Sequence, residues 1–265
     1  MSNVGAAILL TSLAGLSTGI GGLVAFFSKN TNKRFLAFTL GVSAGVMVYV
    51  SFVELLAKAM SVLGAQYGAK NGTALAATMF FCGMFLAAII DRFVPESQSA
   101  EVLKKGKACD GAEKKGSLLR TGLVTALVMG LHNFPEGMAT FVSALQSPVM
   151  AIPIVAAIAI HNIPEGIAVA VPIFYATGNR TKAFFYSLVS GVAEPVGAII
   201  GYLLLMPFIN DTVNAVVFAI VAGIMVFISV SELLPSAQEY SGNHISVYGL
   251  ICGMAVMAVS LVGFM

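Results

Sequence analysis

The sequence predicts an all-α polytopic membrane protein, with eight transmembrane helices in a three-plus-two-plus-three inverted-repeat arrangement. Three observations carry that prediction. Of 265 residues, 58% are hydrophobic and only 10% charged, against roughly 25% charged in an average soluble domain. The apolar residues fall in continuous runs of about the 20 residues that a helix needs to cross a bilayer. Segments from the two halves of the chain also repeat one another. So few charges exclude a soluble enzyme, a disordered chain and a nucleic-acid binder, each of which needs a polar surface.

The runs, in order, are 4–27, 36–57, 73–93, 119–144, 149–176, 184–206, 213–234 and 245–265. They are unbroken rather than alternating in ten-residue segments, which argues against a β-barrel. The first has no basic residue ahead of it and is longer than a signal-peptide core, so it reads as a retained helix. Gly15, Gly19 and Gly22 exemplify small residues that let helix backbones pack closely where water supplies no driving force. Three cysteines in separate segments form neither a disulfide framework nor a CxxC zinc pattern.

All 14 Lys and Arg residues lie outside the runs or at their ends. Lys29, Lys33 and Arg34 follow the first run. Arg92, Lys104, Lys105, Lys107, Lys114, Lys115 and Arg120 follow the third, and Arg180 and Lys182 the fifth. These loops share one side; the other side has only Lys58 and Lys70. The positive-inside rule then places both termini outside and segment 94–118 in the cytoplasm, in the cell (inner) membrane. That segment reads as a flexible linker of mixed charge. It has no histidine, so metal buffering there would rest on Cys109 alone.

The second and seventh runs are related: residues 41–56 and 219–234 match at 8 of 16 positions, Glu54 against Glu232 among them. The third and eighth share Cys-Gly-Met at 82–84 and 252–254. The fourth and fifth share His-Asn-x-Pro-Glu-Gly, at 132–137 and 161–166. Related runs start on opposite sides, so these are inverted repeats, a recurring design in secondary transporters.

Charge within a span costs a few kcal/mol even on gentle scales. No Lys or Arg lies deep in a run, yet five of the 12 acidic residues do: Glu54, Glu136, Glu165, Glu194 and Glu232. Without basic partners, these carboxylates must be protonated, hydrated or neutralised by bound cations. His132 and Glu136 share a helical face, as do Asn133 and Glu136. Pro135 leaves the Leu131 carbonyl without its helical donor. His161, Asn162, Pro164 and Glu165 repeat the pattern, and Pro195 follows Glu194.

Imidazole nitrogens with carboxylate oxygens suit zinc and neighbouring divalent metals better than sodium or potassium. Glu136, Glu165 and Glu194 bring −3 against +2 for one divalent ion or +4 for two, which fits a carboxylate shared between two ions. A single His-x-x-x-Glu reads first as a structural pair; two, each with the same Asn and Pro, reverse that preference. A proton relay is the other functional reading, and metal binding to these groups itself releases protons.

At these motifs, with Ser190–Ala198 and Ser231–Pro235, the whole chain resembles the ZIP (Zrt/Irt-like protein) family of divalent-metal transporters, most closely its bacterial branch. The resemblance implies a two-metal site between spans four, five and six. One position would use His132, Glu136, His161 and Glu165. The other would use Asn133, Asn162 and Glu194, with Glu136 and Glu165 as bridges. It also implies a span-two residue against the first position, with Met47 the nearest match. Glu54 and Glu232 are expected toward the cytoplasmic ends of their spans, along a release route. The His-rich cytoplasmic loop of many eukaryotic relatives is missing.

The expected function is uptake of zinc, and of iron, manganese, cobalt or cadmium, into the cytoplasm. The resemblance suggests an elevator-like motion of spans one, four, five and six against the others, and a homodimer. The expected partners are divalent metal ions and the lipid bilayer, not nucleic acid. Zn2+, or Fe2+, Mn2+, Co2+ or Cd2+, is expected as transported substrate, with no catalytic cofactor. The rivals are an intramembrane metalloenzyme, which wants HExxH where Asn follows each His here, and a proton-coupled carrier of another substrate, which wants cationic or aromatic residues along its path. Orientation is tested by Cys109: a membrane-impermeant maleimide is expected to label it only in permeabilised cells, and labelling in intact cells would reverse the topology.

Overall fold

The computed structural model describes residues 2–27, 33–93, 111–205, 208, 210–241 and 243–263, and the described residues are helical almost throughout, with no strand. In hydrocarbon an α-helix satisfies its backbone groups within one segment, so long apolar runs have little alternative. The helices are α1 (Ser2–Phe27), α2 (Lys33–Val50), α3 (Ala57–Tyr67), α4 (Ala69–Phe93), α5 (Gly111–Gln146), α6 (Pro148–Thr177), α7 (Arg180–Leu205), α8 (Asp211–Ile228), α9 (Leu234–Ser241) and α10 (Asn243–Gly263). Two π-helical turns, Ser51–Leu56 and Ser229–Leu233, run on from α2 and α8 without a break in the chain's helical course.

Local chemistry sets the ends. Gly68 and Gly178 take positive φ, at 83° and 65°, and close α3 and α6. The Asn210 side chain accepts from the Val213 N–H at 2.9 Å and caps α8. Pro148 opens α6, where its missing N–H is harmless.

Among the described residues, seven stretches are long and apolar enough to cross a membrane. Run 119–144 lies in α5, which is not one of them although it is 36 residues long; its apolar course is interrupted by His132, Asn133 and Glu136. Two expected boundaries shift. The second span runs on to Tyr67, because no breaker stops the helix before Gly68. Residues 111–118, expected as linker, are the first turns of α5; Ala112, Glu113, Lys114 and Lys115 are good helix formers. Residues 94–110, Cys109 included, lie outside the described residues.

The helices form two packed groups. In one, α1, α5, α6 and α7 lie against each other; in the other, α2 packs on α10, and α4 on α3 and α8. The groups meet where α2 crosses α6 and where α5 meets α8.

Contacts at glycines repeat the sequence repeat. A Cβ on Gly83 would run into the Ile220 carbonyl, and one on Gly253 into the Val42 carbonyl. Gly223 likewise abuts the Phe80 carbonyl, and Gly45 that of Leu250. The residue shifts linking these pairs are those that carry Glu54 to Glu232 and Cys82 to Cys252. The π-turns obey the same relation. Ser51 donates to the Met47 carbonyl and Ser229 to the Met225 carbonyl, both at 2.7 Å. Thus α2 paired with α10 mirrors α8 paired with α4.

These crossings depend on the absence of a side chain. Gly223→Val is expected to lose about 1–3 kcal/mol by overpacking, seen as a lowered thermal midpoint in detergent. Gly5→Ala, at a position with open space around it, is expected to leave the midpoint unchanged or slightly raised.

Candidate metal-binding site

The two His-Asn-x-Pro-Glu-Gly motifs sit mid-helix in α5 and α6. Their final glycines explain why the preceding glutamates are interior. A Cβ on Gly137 would be driven into the Glu194 carbonyl of α7, and one on Gly166 into the Thr18 carbonyl of α1. Each motif therefore ends at a backbone-to-backbone crossing, which carries the neighbouring glutamate inward. Glu136 is 1% exposed, and Glu165 and Glu194 are fully buried.

The asparagines fasten the motifs to the flanking helices. Asn133 Nδ2 donates to the Ser190 carbonyl at 3.1 Å, and Asn162 Nδ2 to the Ala14 carbonyl at 2.9 Å. A carbonyl can only accept, so each amide must turn its NH2 to the helix and its Oδ1 away. Asn162 Nδ2 also donates to Glu194 Oε1, joining α6 to α7. Asn133 Oδ1, Asn162 Oδ1 and Glu194 Oε2 are buried with no hydrogen-bond partner among the described residues.

Glu165 Oε1 accepts from the Ser43 hydroxyl of α2 at 3.2 Å, across the divide between the two helix groups. Glu194 lies within electrostatic range of both Glu136 and Glu165. Among the described residues no Lys or Arg is buried. The result is a buried cluster of oxygen acceptors. An unsatisfied buried acceptor costs roughly 1–3 kcal/mol, more when charged.

Known proteins are similar to this chain over almost its full length. The family described as "ZIP Zinc transporter" matches residues 95–261. The zinc transporter ZupT of Streptococcus mutans is 55% identical over 258 residues, 97% of this chain and 97% of that one. The ZupT proteins of Clostridium perfringens and Corynebacterium glutamicum are each 53% identical, over 100% and 96% of this chain and 98% and 97% of their own. The chain belongs to the ZIP family.

The relatives are named as transporters, not enzymes, which sets the metalloenzyme reading aside. Within this ZIP fold the expected site residues divide. Asn133, Glu136, Asn162, Glu165 and Glu194 are buried at the α5–α6–α7 crossing. His132 and His161 lie on α5 and α6 one turn before the glutamates, and their side chains are outside the described residues. Among the described residues no three His, Cys, Asp or Glu side chains converge closely enough to hold an ion. Met47 is buried in the main apolar core, while the α2 side chain seen to reach the carboxylates is Ser43, one turn earlier. Its signal in the sequence was the repeat itself, which sets a serine at 43 against Val221.

Contrary to the expectation that both lie toward the cytoplasmic ends, Glu54 and Glu232 lie at opposite ends. Beyond Glu54 the chain packs on the start of α8: Lys58 lies 5.2 Å from the Phe218 ring centroid, and Thr212 at the first turn donates to Gln66. Glu232 lies past the far end of α8, hydrogen-bonded to Asp91 at the end of α4. Inverted repeats put equivalent residues at opposite ends, and these two obey that rule. A cavity of about 370 Å³ between α4, α5 and α8 runs from Phe134 and Pro135 of the first motif to Asp91 and Glu232.

Asn162 holds two acceptors at once, so Asn162→Ala is expected to destabilise the metal-free protein by about 1–3 kcal/mol. Thermal unfolding in detergent with a chelator measures it.

Proposed function

We propose that this ZIP protein carries zinc into the cytoplasm through the α5–α6–α7 crossing. The observation that carries the reading is the burial of Glu136, Glu165 and Glu194 together, with unpartnered Asn133 and Asn162 oxygens and no buried base among the described residues. His132 and His161, one turn from the carboxylates, would supply the nitrogen ligands that favour zinc over alkali cations, and the mixed set also accommodates Fe2+, Mn2+, Co2+ and Cd2+. In this reading two metal positions lie side by side. His132, Glu136, His161 and Glu165 hold one, Asn133, Asn162 and Glu194 the other, and Glu136 and Glu165 bridge them.

The same reading includes eight spans as three, two and three, with both termini outside and segment 94–118 in the cytoplasm. The mirrored glycine crossings support the repeat, and the basic loops support the orientation. Alternating access would move α1, α5, α6 and α7 against the other group; the Ser43–Glu165 bond crosses that divide. The release route would lead toward Asp91 and Glu232, with Glu54 on the entry side. The homodimer rests on the family resemblance.

Zinc uptake into proteoliposomes tests the core of this. His132→Ala, Glu136→Ala and His161→Ala are each expected to cut uptake at least tenfold, since each removes a ligand worth more than about 1.4 kcal/mol. Wild-type uptake by all three overturns the site, and a panel of competing metals reads its selectivity.

A further inference from the structure

The motif crossings obey the pseudo-symmetry in detail. Gly137 meets the Glu194 carbonyl as Gly166 meets the Thr18 carbonyl, and Gly197 meets the Phe134 carbonyl as Gly21 meets that of Ile163. Asn133 bonds the Ser190 carbonyl as Asn162 bonds that of Ala14. Gly15 and Gly191 each abut the other's carbonyl. One shift along the chain therefore carries α1 onto α7, and it carries Thr18 onto Glu194.

Their side chains leave the crossing equivalently. A Cβ on Gly15 would lie 3.1 Å from Glu194 Cβ, and one on Gly191 would lie 2.8 Å from both Cβ and Oγ1 of Thr18. Thr18 is fully buried, and its hydroxyl has no hydrogen-bond partner among the described residues. Ser143 and Ser231 share that state among the described residues, but the other buried helix hydroxyls do not. Thr11, Ser51, Thr140 and Thr177 each bond the carbonyl four residues back, at 2.7–2.9 Å, the ordinary resting place of a helix hydroxyl. For Thr18 that carbonyl belongs to Ala14 and is held by Asn162 and Ser17. The Thr18 oxygen faces α7 instead, one turn from Glu194.

We infer that Thr18 is a further binding residue of the transport site, giving the divalent cation a neutral oxygen where α7 gives a carboxylate. This rests on the α5–α6–α7 site proposed above. The substitution keeps the cage at three carboxylates rather than four. A cation must bind firmly enough to enter and weakly enough to leave, and a neutral donor at the fourth position favours release.

The test compares Thr18→Val with wild type in zinc uptake and in metal-free thermal unfolding. A hydroxyl that only fills space is removed without loss, because deleting an unpartnered buried oxygen with its shape retained is neutral or stabilising. The inference expects an unchanged or raised midpoint together with a KM for zinc raised about 3–10-fold, the range of one lost hydrogen bond. An unchanged KM overturns it. If Thr18→Val lowers the midpoint, Thr18→Ser and Thr18→Ala, which differ by one oxygen, take its place, and equal KM values in those two overturn the inference. Glu136→Ala separates the two levels. Uptake surviving that change sinks the site itself, whereas uptake lost there with Thr18→Val unaffected sinks only the role of Thr18.

Discussion

Three buried carboxylates govern this molecule. Glu136, Glu165 and Glu194 sit in the interior of an apolar helix bundle, none more than 1% exposed, where no buried Lys or Arg among the described residues meets them. A charge transferred out of water without compensation costs far more than a domain can spare. The surroundings consist largely of devices that hold these oxygens in place: Asn162 on Glu194, Ser43 on Glu165, and glycine crossings that prevent α5 and α6 from rotating. Those contacts leave acceptor oxygens over: Asn133 Oδ1, Asn162 Oδ1 and Glu194 Oε2 are buried with no hydrogen-bond partner among the described residues.

Glycine makes that convergence possible. In hydrocarbon, helices gain nothing from hiding apolar surface, so close backbone approach must supply the adhesion. A side chain at Gly137 would push α5 off α7 and move Glu136 relative to Glu194. The function of the motif's last residue is therefore positional, and its chemistry is exercised by its neighbours.

Much of the fold was legible because membrane solvation is so restrictive: long apolar runs must be helices, and the glutamates within them stand out against that apolar background. The Glu54–Glu232 match was legible for a similar reason, since both halves solve one packing problem. What escaped the sequence was contact-dependent. Span one shares little with span six beyond Ala7 with Ala183, Gly15 with Gly191 and Gly21 with Gly197, so their kinship emerges only from which carbonyl each glycine meets. Ser43 looked like an ordinary small helix residue until its hydroxyl was placed on Glu165. The positions of Glu54 and Glu232 follow from the inversion of the repeat, and composition alone carries no information about which end a residue occupies.

Symmetry also shows where function departs from architecture. Backbone features survive on both sides of the pseudo-axis: the paired glycines, the paired asparagine bonds, and the serines bonding Met47 and Met225 in the two π-turns. Side chains differ at some related positions: the repeat sets Thr18 against Glu194, and Ser43, which bonds Glu165, against Val221. Packing is shared by both halves because the bilayer imposes it equally on both. A cation presents no such twofold demand, since it enters from one side and leaves from the other, so the residues around it are free to differ. On the proposed reading, the asymmetric positions in an otherwise mirrored frame would set affinity and direction, and the frame holds them in register.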